Sequence, residues 1–280
     1  MAMDTGIMVT DMVKVIMDIN KSTMKIKTYV INLKDSVIRR EAVLAETAKY
    51  PFMDVELLEA VDGRKIKPEE IETRFNLKKF ISRYHRSPKG GEIGCTLSHR
   101  ECYRKLLESE EEFALILEDD VNFLYPEDVE TTLADILDEY KDNNPCLITL
   151  AMHFVYYPKK YRKLGKYTFY EIYNAYGTCA YLINRRAAEC LLSVSHPFIM
   201  ADDFLFIRQR GIRVKGIYPT FAVGASTREL ISTEIQEESV SQDKMPISRY
   251  LPVYYEKCCR NMLVKFGELS YRHYQLGINE

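Results

Sequence analysis

The segment Leu115-Ile116-Leu117-Glu118-Asp119-Asp120 constrains this chain more than any other. Ala114 to Leu117 is a short apolar run, too short for an independent helix, and it stops at three consecutive acids. That pattern predicts a buried strand delivering carboxylates to a sheet edge. In open α/β sheets ligands sit beyond the carboxyl ends of strands, so acids placed there face a crevice and not the core. Three adjacent carboxylates repel one another, and a positive group must offset that cost. A hard divalent cation with a diphosphate would do so, because Mg²⁺ or Mn²⁺ takes one or two protein carboxylates and completes its octahedron with phosphate oxygens and water. Capping of the next segment is the simpler use of Asp119 and Asp120. A receiver domain also ends its first strand in acids, but the next strand-like run here, Cys146 to Ala151, continues into Met152-His153-Phe154 without an Asp.

With 280 residues, 46% hydrophobic and 29% charged, the chain can bury a sizeable core. A formal net charge of -2 offers no global attraction to nucleic acid. The seven cysteines include no C-x-x-C pair and no zinc-like spacing with the five histidines, so a reducing, cytoplasmic setting is expected. Residues 1–24 hold six of the eleven methionines and lack the apolar core of a signal peptide. Met8, Met12, Ile16 and Ile19 could form a helical stripe; a true start at Met24 is the competing expectation. No run approaches the ~18 apolar residues of a membrane span.

Thr28 to Leu33 reads as a first strand and Val37 to Lys49 as a helix, with Val37, Leu44 and Ala48 toward the sheet and Arg39 and Arg40 in its first turn. Cations there hint at a phosphate contact, or form a solvated basic face. Phe52 to Leu58 reads as a strand leading to the Asp62-Gly63 turn, where a short acid can reach a ribose or base. Pro68 to Asn76 reads as a helix and Phe80 to Lys89 as a basic aromatic loop. Gly90-Gly91 opens a helix to about Ser109, with Ser98 and His99 in its second turn. Pro126 to Tyr140 reads as a helix, Cys146 to Ala151 as a strand and His153 to Lys166 as an irregular excursion. Thr168 to Tyr173 and Thr178 to Ile183 read as strands paired across residues 174–177, followed by a helix from Arg185 to Ser193. A helix is expected to start near Asp202-Asp203, acids that either cap it or, in a shared desolvated pocket, yield a base. Ile212 to Tyr218 reads as a last strand, and Thr233 to Gln236 as part of a flap. Leu251, Tyr254, Tyr255, Cys258, Met262 and Phe266 form a helical stripe beside Lys257, Arg260 and Lys265, suited to packing on the domain or to an anionic membrane surface.

Taken in order, Tyr29 to Lys34 with Arg39-Arg40, Ala60 to Gly63, Gly91 to His99, Leu115 to Asp120, Gly177 to Tyr181 and Ala201 to Leu205 resemble the motifs of glycosyltransferase family 25, from about residue 26 to about 235. The resemblance implies an α/β fold of GT-A type, a nucleotide-binding domain with a mixed central sheet flanked by helices, over residues 25–245. A C-terminal helical tail would follow at 246–280. It also implies an inverting, metal-dependent transfer of galactose from UDP-galactose to a lipopolysaccharide or lipooligosaccharide acceptor, at the inner face of the cytoplasmic membrane. On the matching positions, Asp120 would bind Mn²⁺ or Mg²⁺, and Glu118 and Asp119 would touch ribose or donor sugar. Ile31, Asn32, Arg40 and Asp62 would line the nucleotide pocket, with Ser98 and His99 beside the donor. Asp203 or Asp202 would be the base, Asp203 being the first candidate. The contrasting expectation is a sugar-nucleotide or glycan-binding module that keeps the fold without turnover.

Overall fold

The computed structural model describes residues 24–151, 153–224 and 247–272. The expectations for the first 23 residues and for a flap at 233–236 lie outside them. In chain order the elements are β1 (Ile26–Asn32), α1 (Val37–Thr47), β2 (Met53–Glu59), α2 (Pro68–Arg74), α3 (Leu77–Tyr84), α4 (Gly90–Glu108), β3 (Phe113–Glu118) and β4 (Val121–Phe123). There follow α5 (Val129–Glu139), β5 (Cys146–Thr149), β6 (His153–Leu164), β7 (Tyr167–Tyr176), β8 (Ala180–Asn184), α6 (Arg185–Leu192), α7 (Phe204–Gln209), β9 (Arg213–Tyr218), β10 (Ala222–Gly224), α8 (Ile247–Lys265) and β11 (Ser270–Arg272).

Nine strands form one mixed sheet in the order β11-β6-β7-β9-β5-β8-β3-β1-β2, with β4 and β10 in a separate ribbon. This is the mixed central sheet flanked by helices expected from the sequence. Apolar residues on both faces of β3 explain its place in the middle. Leu115 and Leu117 pack on one side with Val43 of α1 and Leu133 and Ile136 of α5. Ala114 and Ile116 pack on the other with Cys102 and Leu106 of α4, Ala187 of α6 and Phe204 of α7. A strand covered on both faces reads as an unbroken apolar run. The parallel register sets Ile31 of β1 opposite Leu58 of β2 and Glu118 of β3, so the three strands end together on one edge.

Four local readings are corrected. Residues 77–84 form a helix, not a loop: Asn76 caps it by accepting from the Lys79 N–H (3.0 Å), and His85 ends it in the left-handed region at φ 58°. Residues 153–164 form a strand. Its pairing to β7 jumps between Tyr156 and Tyr161, and Pro158 falls in that irregular stretch, where a missing N–H breaks no ladder bond. The strands β7 and β8 do not pair. β8, buried at all five positions, lies between β3 and β5, while the only partly buried β7 takes a place nearer the edge beside β6 and β9. Finally, α1 is rotated: Val43, Glu46 and Thr47 are its buried residues, while Val37 and Leu44 are exposed.

The C-terminal segment returns to the sheet, β11 pairing antiparallel with β6. On α8 and just after it, Tyr255, Met262 and Phe266 are exposed rather than packed. Among the described residues no helix is long and apolar enough to cross a membrane.

One backbone contact fixes the wall of the crevice beyond β1 and β3. The loop after β2 lies against the first turns of α4 so closely that a Cβ on Gly94 would sit 2.2 Å from the Val61 carbonyl oxygen, and one on Gly63 would sit 1.9 Å from that of Gly90. Only glycine fits where two backbones meet in this way. Gly94→Ala should therefore force the loop off the helix and cost about 1–3 kcal/mol or more, as overpacking does. Urea unfolding checks this, and an unchanged midpoint would contradict it.

Candidate active site

The crevice at the carboxyl ends of β1 and β3 is lined by Ile31, Arg39, Asp62, Gly91, Cys95, Ser98, His99, Glu118, Asp119 and Asp120, among others. It adjoins a wider groove that shares Leu33, Ala60, Val61, Asp62 and Arg64 and adds Lys34, Lys65 and Arg74. Seven residues singled out from the sequence thus share one cavity: Ile31, Asp62, Ser98, His99, Glu118, Asp119 and Asp120.

Each acid of the triplet has its own partners. Glu118 accepts from the Thr178 hydroxyl (2.5 Å) and faces His99 Nε2 (3.3 Å). Burial alone would raise its carboxyl, but His99, Thr178 and the Arg39 charge outweigh it and hold the group below its ordinary value. Asp119 accepts from the Asn32 amide (2.7 Å) and pairs with Arg39 (2.5 Å). There burial wins over Arg39 and Asn32, and the Asp119 carboxyl is pushed up to about 6. Asp120 lies 3.8 Å from the same Arg39 nitrogen. Gly224 of β10 leaves room for it, since a Cβ there would come within 2.9 Å of Asp120 Oδ2.

Arg39, rather than Arg40, lines the crevice and reaches the acids, with Arg64 also at its rim. Arg40 donates to the Lys34 carbonyl (3.2 Å) and does not line the cavity. Helical spacing carried the signal, because Arg39 stands four residues before Val43, on the face α1 turns toward the sheet. Asn32 lies beneath the cavity and ties Asp119 to the Ser36 carbonyl (3.1 Å). Asp62 is clasped by Arg64 (2.8 and 3.0 Å), whose hydrogen bonds hold its carboxyl below the usual range.

The helix α4 supplies the opposite wall. Ser98 accepts from the Val61 N–H (2.8 Å) and donates to the Gly94 carbonyl (2.7 Å), fastening the loop that Gly63 and Gly94 allow to approach. His99 Nδ1 meets the Tyr181 hydroxyl (2.9 Å), which meets that of Tyr103 (3.0 Å). A carboxylate only accepts, so the neutral imidazole that satisfies this chain carries its proton on Nε2, toward Glu118, and takes the Tyr181 proton on Nδ1. The helix begins on a bidentate Arg86–Glu92 pair (2.7 and 2.5 Å), with Glu92 also accepting from the Lys89 N–H (2.8 Å).

The downstream acids divide. Asp203 caps α7 by accepting from the Phe206 N–H (2.9 Å), and it takes two bonds from Arg83 (2.5 and 3.0 Å) and one from the Tyr84 hydroxyl. Both of its oxygens are doubly engaged. Asp202 accepts from the Gly177 N–H (3.1 Å). Burial raises its carboxyl, the Gly177 bond lowers it in part, and the charge of Glu118 raises it again. Neither Asp202 nor Asp203 is among the residues that line the crevice.

A hard divalent cation fits the floor of this cavity. Two adjacent carboxylates, Asp119 and Asp120, offer oxygen donors, and the buried Asn32 Oδ1 has no hydrogen-bond partner among the described residues. The Arg39 Nε–H, likewise unpartnered among them, can only donate and suits an anion such as a phosphate. The donor set suits Mg²⁺ or Mn²⁺, with Arg39 balancing the acids meanwhile.

The raised Asp119 carboxyl makes stability depend on pH. Its folded value of about 6 exceeds the ordinary 3.8, so the folded protein holds the proton more tightly. That contribution is complete below about pH 4 and lost as pH rises through about 6, a loss on the order of 3 kcal/mol. In chelator, wild type should fall in stability over this window relative to Asp119→Asn, which cannot ionise. Parallel profiles in urea unfolding would contradict the assignment.

Residues 25–206 match the family model described as "Glycosyltransferase family 25 (LPS biosynthesis protein)". A glycosyltransferase 25 family member of Aedes aegypti is 37% identical over 99 residues, 34% of this chain and 16% of the relative. Human procollagen galactosyltransferase 2 is 33% identical over 101 residues, 34% of this chain and 16% of that protein. A mimivirus protein named procollagen lysyl hydroxylase and glycosyltransferase is 29% identical over 223 residues, 70% of this chain and 23% of that protein. The chain therefore matches only a minor part of these relatives' lengths. Among solved structures, the glycosyltransferase GlyE of Streptococcus pneumoniae has a TM-score of 0.34 at 10% identity, covering 91% of this chain and 66% of that one.

Proposed function

The chain belongs to glycosyltransferase family 25, and on that premise we propose that it transfers galactose from UDP-galactose, with inversion, to a hydroxyl of a lipopolysaccharide or lipooligosaccharide acceptor. The observation that carries this reading is the meeting of Arg39, Asp62, His99 and the acidic triplet in one crevice beyond β1 and β3, continuous with a basic groove. Galactose is supported by the relatives named procollagen galactosyltransferase, and the acceptor class by the words "LPS biosynthesis protein" in the family's description.

In this reading Asp120, with Asp119 beside it, would hold Mn²⁺ or Mg²⁺, which when bound neutralises charge on the departing diphosphate. Arg39 is already at the acids and is the residue within reach of a phosphate entering beside them. Glu118, oriented by His99 and Thr178, would accept a donor hydroxyl. The acceptor oxygen would form its bond to the anomeric carbon as the bond from that carbon to UDP breaks, passing its proton to a carboxylate. We assign that role to Asp202. Its raised carboxyl is the better base, whereas Asp203 is saturated by Arg83, Tyr84 and the α7 cap and would position its neighbour.

A location on the inner face of the cytoplasmic membrane extends the proposal. Exposed Tyr255, Met262 and Phe266 beside Lys257 support it, and failure to co-sediment with anionic liposomes at low salt would remove this part.

UDP release from a panel of UDP-sugars, with Mn²⁺ and with chelator, tests the core reading. Wild type should favour UDP-galactose and require metal, and Asp120→Ala should lose turnover. Asp202→Asn should lower kcat by about 10²–10⁴-fold while keeping its fold. Asp203→Asn should instead lower the melting temperature. The acid limb of wild-type kcat should lie above the range of an ordinary carboxylate, since Asp202 must lose a proton that burial retains. Nucleotide binding without turnover on any donor, lipooligosaccharide or hydroxylysine acceptor would favour the non-catalytic module.

A further inference from the structure

A second set of ligating side chains stands in the same crevice. Cys95 and His99 are four residues apart on α4 and so share one helix face, which meets the end of β3 at Glu118. A thiol sulfur, an imidazole nitrogen and a carboxylate oxygen lie there within 4.8 Å of one another. We infer that Cys95, His99 and Glu118 form a site for a borderline-soft divalent ion of the Zn²⁺ class, separate from the hard-cation position at Asp120.

Three features carry this beyond proximity. First, His99 Nε2 and Glu118 Oε1 are 3.3 Å apart. That is long for an N–H···O hydrogen bond, and it matches the edge of a tetrahedron with metal bonds of about 2.05 Å, roughly 3.3 Å. Second, the imidazole is aimed from behind. Tyr181 meets Nδ1 at 2.9 Å and is itself held by Tyr103 at 3.0 Å. An ion at Nε2 would displace the proton there; the neutral ring would carry its proton on Nδ1 instead and donate it to the Tyr181 oxygen, the outer-shell arrangement that holds ring orientation in histidine metal sites. Third, the donor set discriminates. Thiolate and imidazole suit zinc, whereas magnesium and manganese prefer carboxylate, carbonyl and water. All three side chains line the cavity, so three protein ligands would leave a fourth position facing it, as in open zinc sites. An ion there would pin Glu118 at the floor of the crevice, whatever reaction the crevice supports.

The inference does not rest on glycosyl transfer, and its test needs no donor. Reduced, metal-free full-length protein is titrated with Co²⁺ as a spectroscopic substitute for Zn²⁺. The expected result is one equivalent of tetrahedral cobalt with a thiolate-to-metal charge-transfer band, bleached by one equivalent of Zn²⁺. Cys95→Ser, nearly isosteric, should lose the band with unchanged circular dichroism. His99→Gln, which keeps the thiol, should weaken binding at least about 10-fold, and Tyr181→Phe about 10–100-fold through the outer shell. Asp120→Ala should retain the band. No thiolate band in wild type would overturn the proposal. So would a band that survives Cys95→Ser, which would belong to other thiols such as Cys258 and Cys259, and so would loss of the band in Asp120→Ala.

Discussion

Three consecutive carboxylates brought to the end of a buried strand are the constraint on which the rest of the structure depends. Glu118, Asp119 and Asp120 share one cavity, and charge held out of water must be paired or coordinated. The fold answers acid by acid. Helix α4 and the segment before β8 address Glu118 through His99 and Thr178, the end of β1 addresses Asp119 through Asn32, and α1 addresses Asp119 and Asp120 through Arg39. Glu118 and Asp119 each draw partners from two different elements, so the acidic strand end is held from several directions at once.

The scaffold that holds them is apolar and indifferent to the chemistry. β3 is covered on both faces, so its end cannot shift without opening two layers of packing. The near wall rests on the contact of the Val61–Gly63 loop with Gly90 and Gly94, fastened by Ser98. Beyond α4, Asp203 locks Arg83 and Tyr84 of α3 to the start of α7 and so sets where its neighbour Asp202 stands. Thus two residues expected at the substrate, Ser98 and Asp203, are engaged in holding elements together.

Much of this was legible in the sequence wherever a local pattern had one physical meaning. A short unbroken apolar run ending in acids points to a strand covered on both faces, and β3 is that strand. What was not legible depended on partners distant in sequence. The place of β8 between β3 and β5 is a tertiary choice, though its five consecutive buried residues mark it as more central than the partly buried β7. Pro158 made β6 read as irregular because a bulge can absorb a proline and a residue list does not show bulges. Arg39 and Arg40 look alike until the phase of α1 is known, and that phase was misjudged from Val37 and Leu44. The Asp202–Asp203 pair likewise separates only when Arg83 and Tyr84, some 120 residues away in sequence, are seen to claim one member.

The most direct test of the account is a crystal structure with UDP and Mn²⁺ bound. The expected result is a diphosphate beyond the ends of β1 and β3, a cation on Asp120, and the Arg39 guanidinium moved from Asp119 to a phosphate oxygen. A nucleotide bound elsewhere, with the Arg39–Asp119 pair intact and no cation at the acidic strand end, would contradict it.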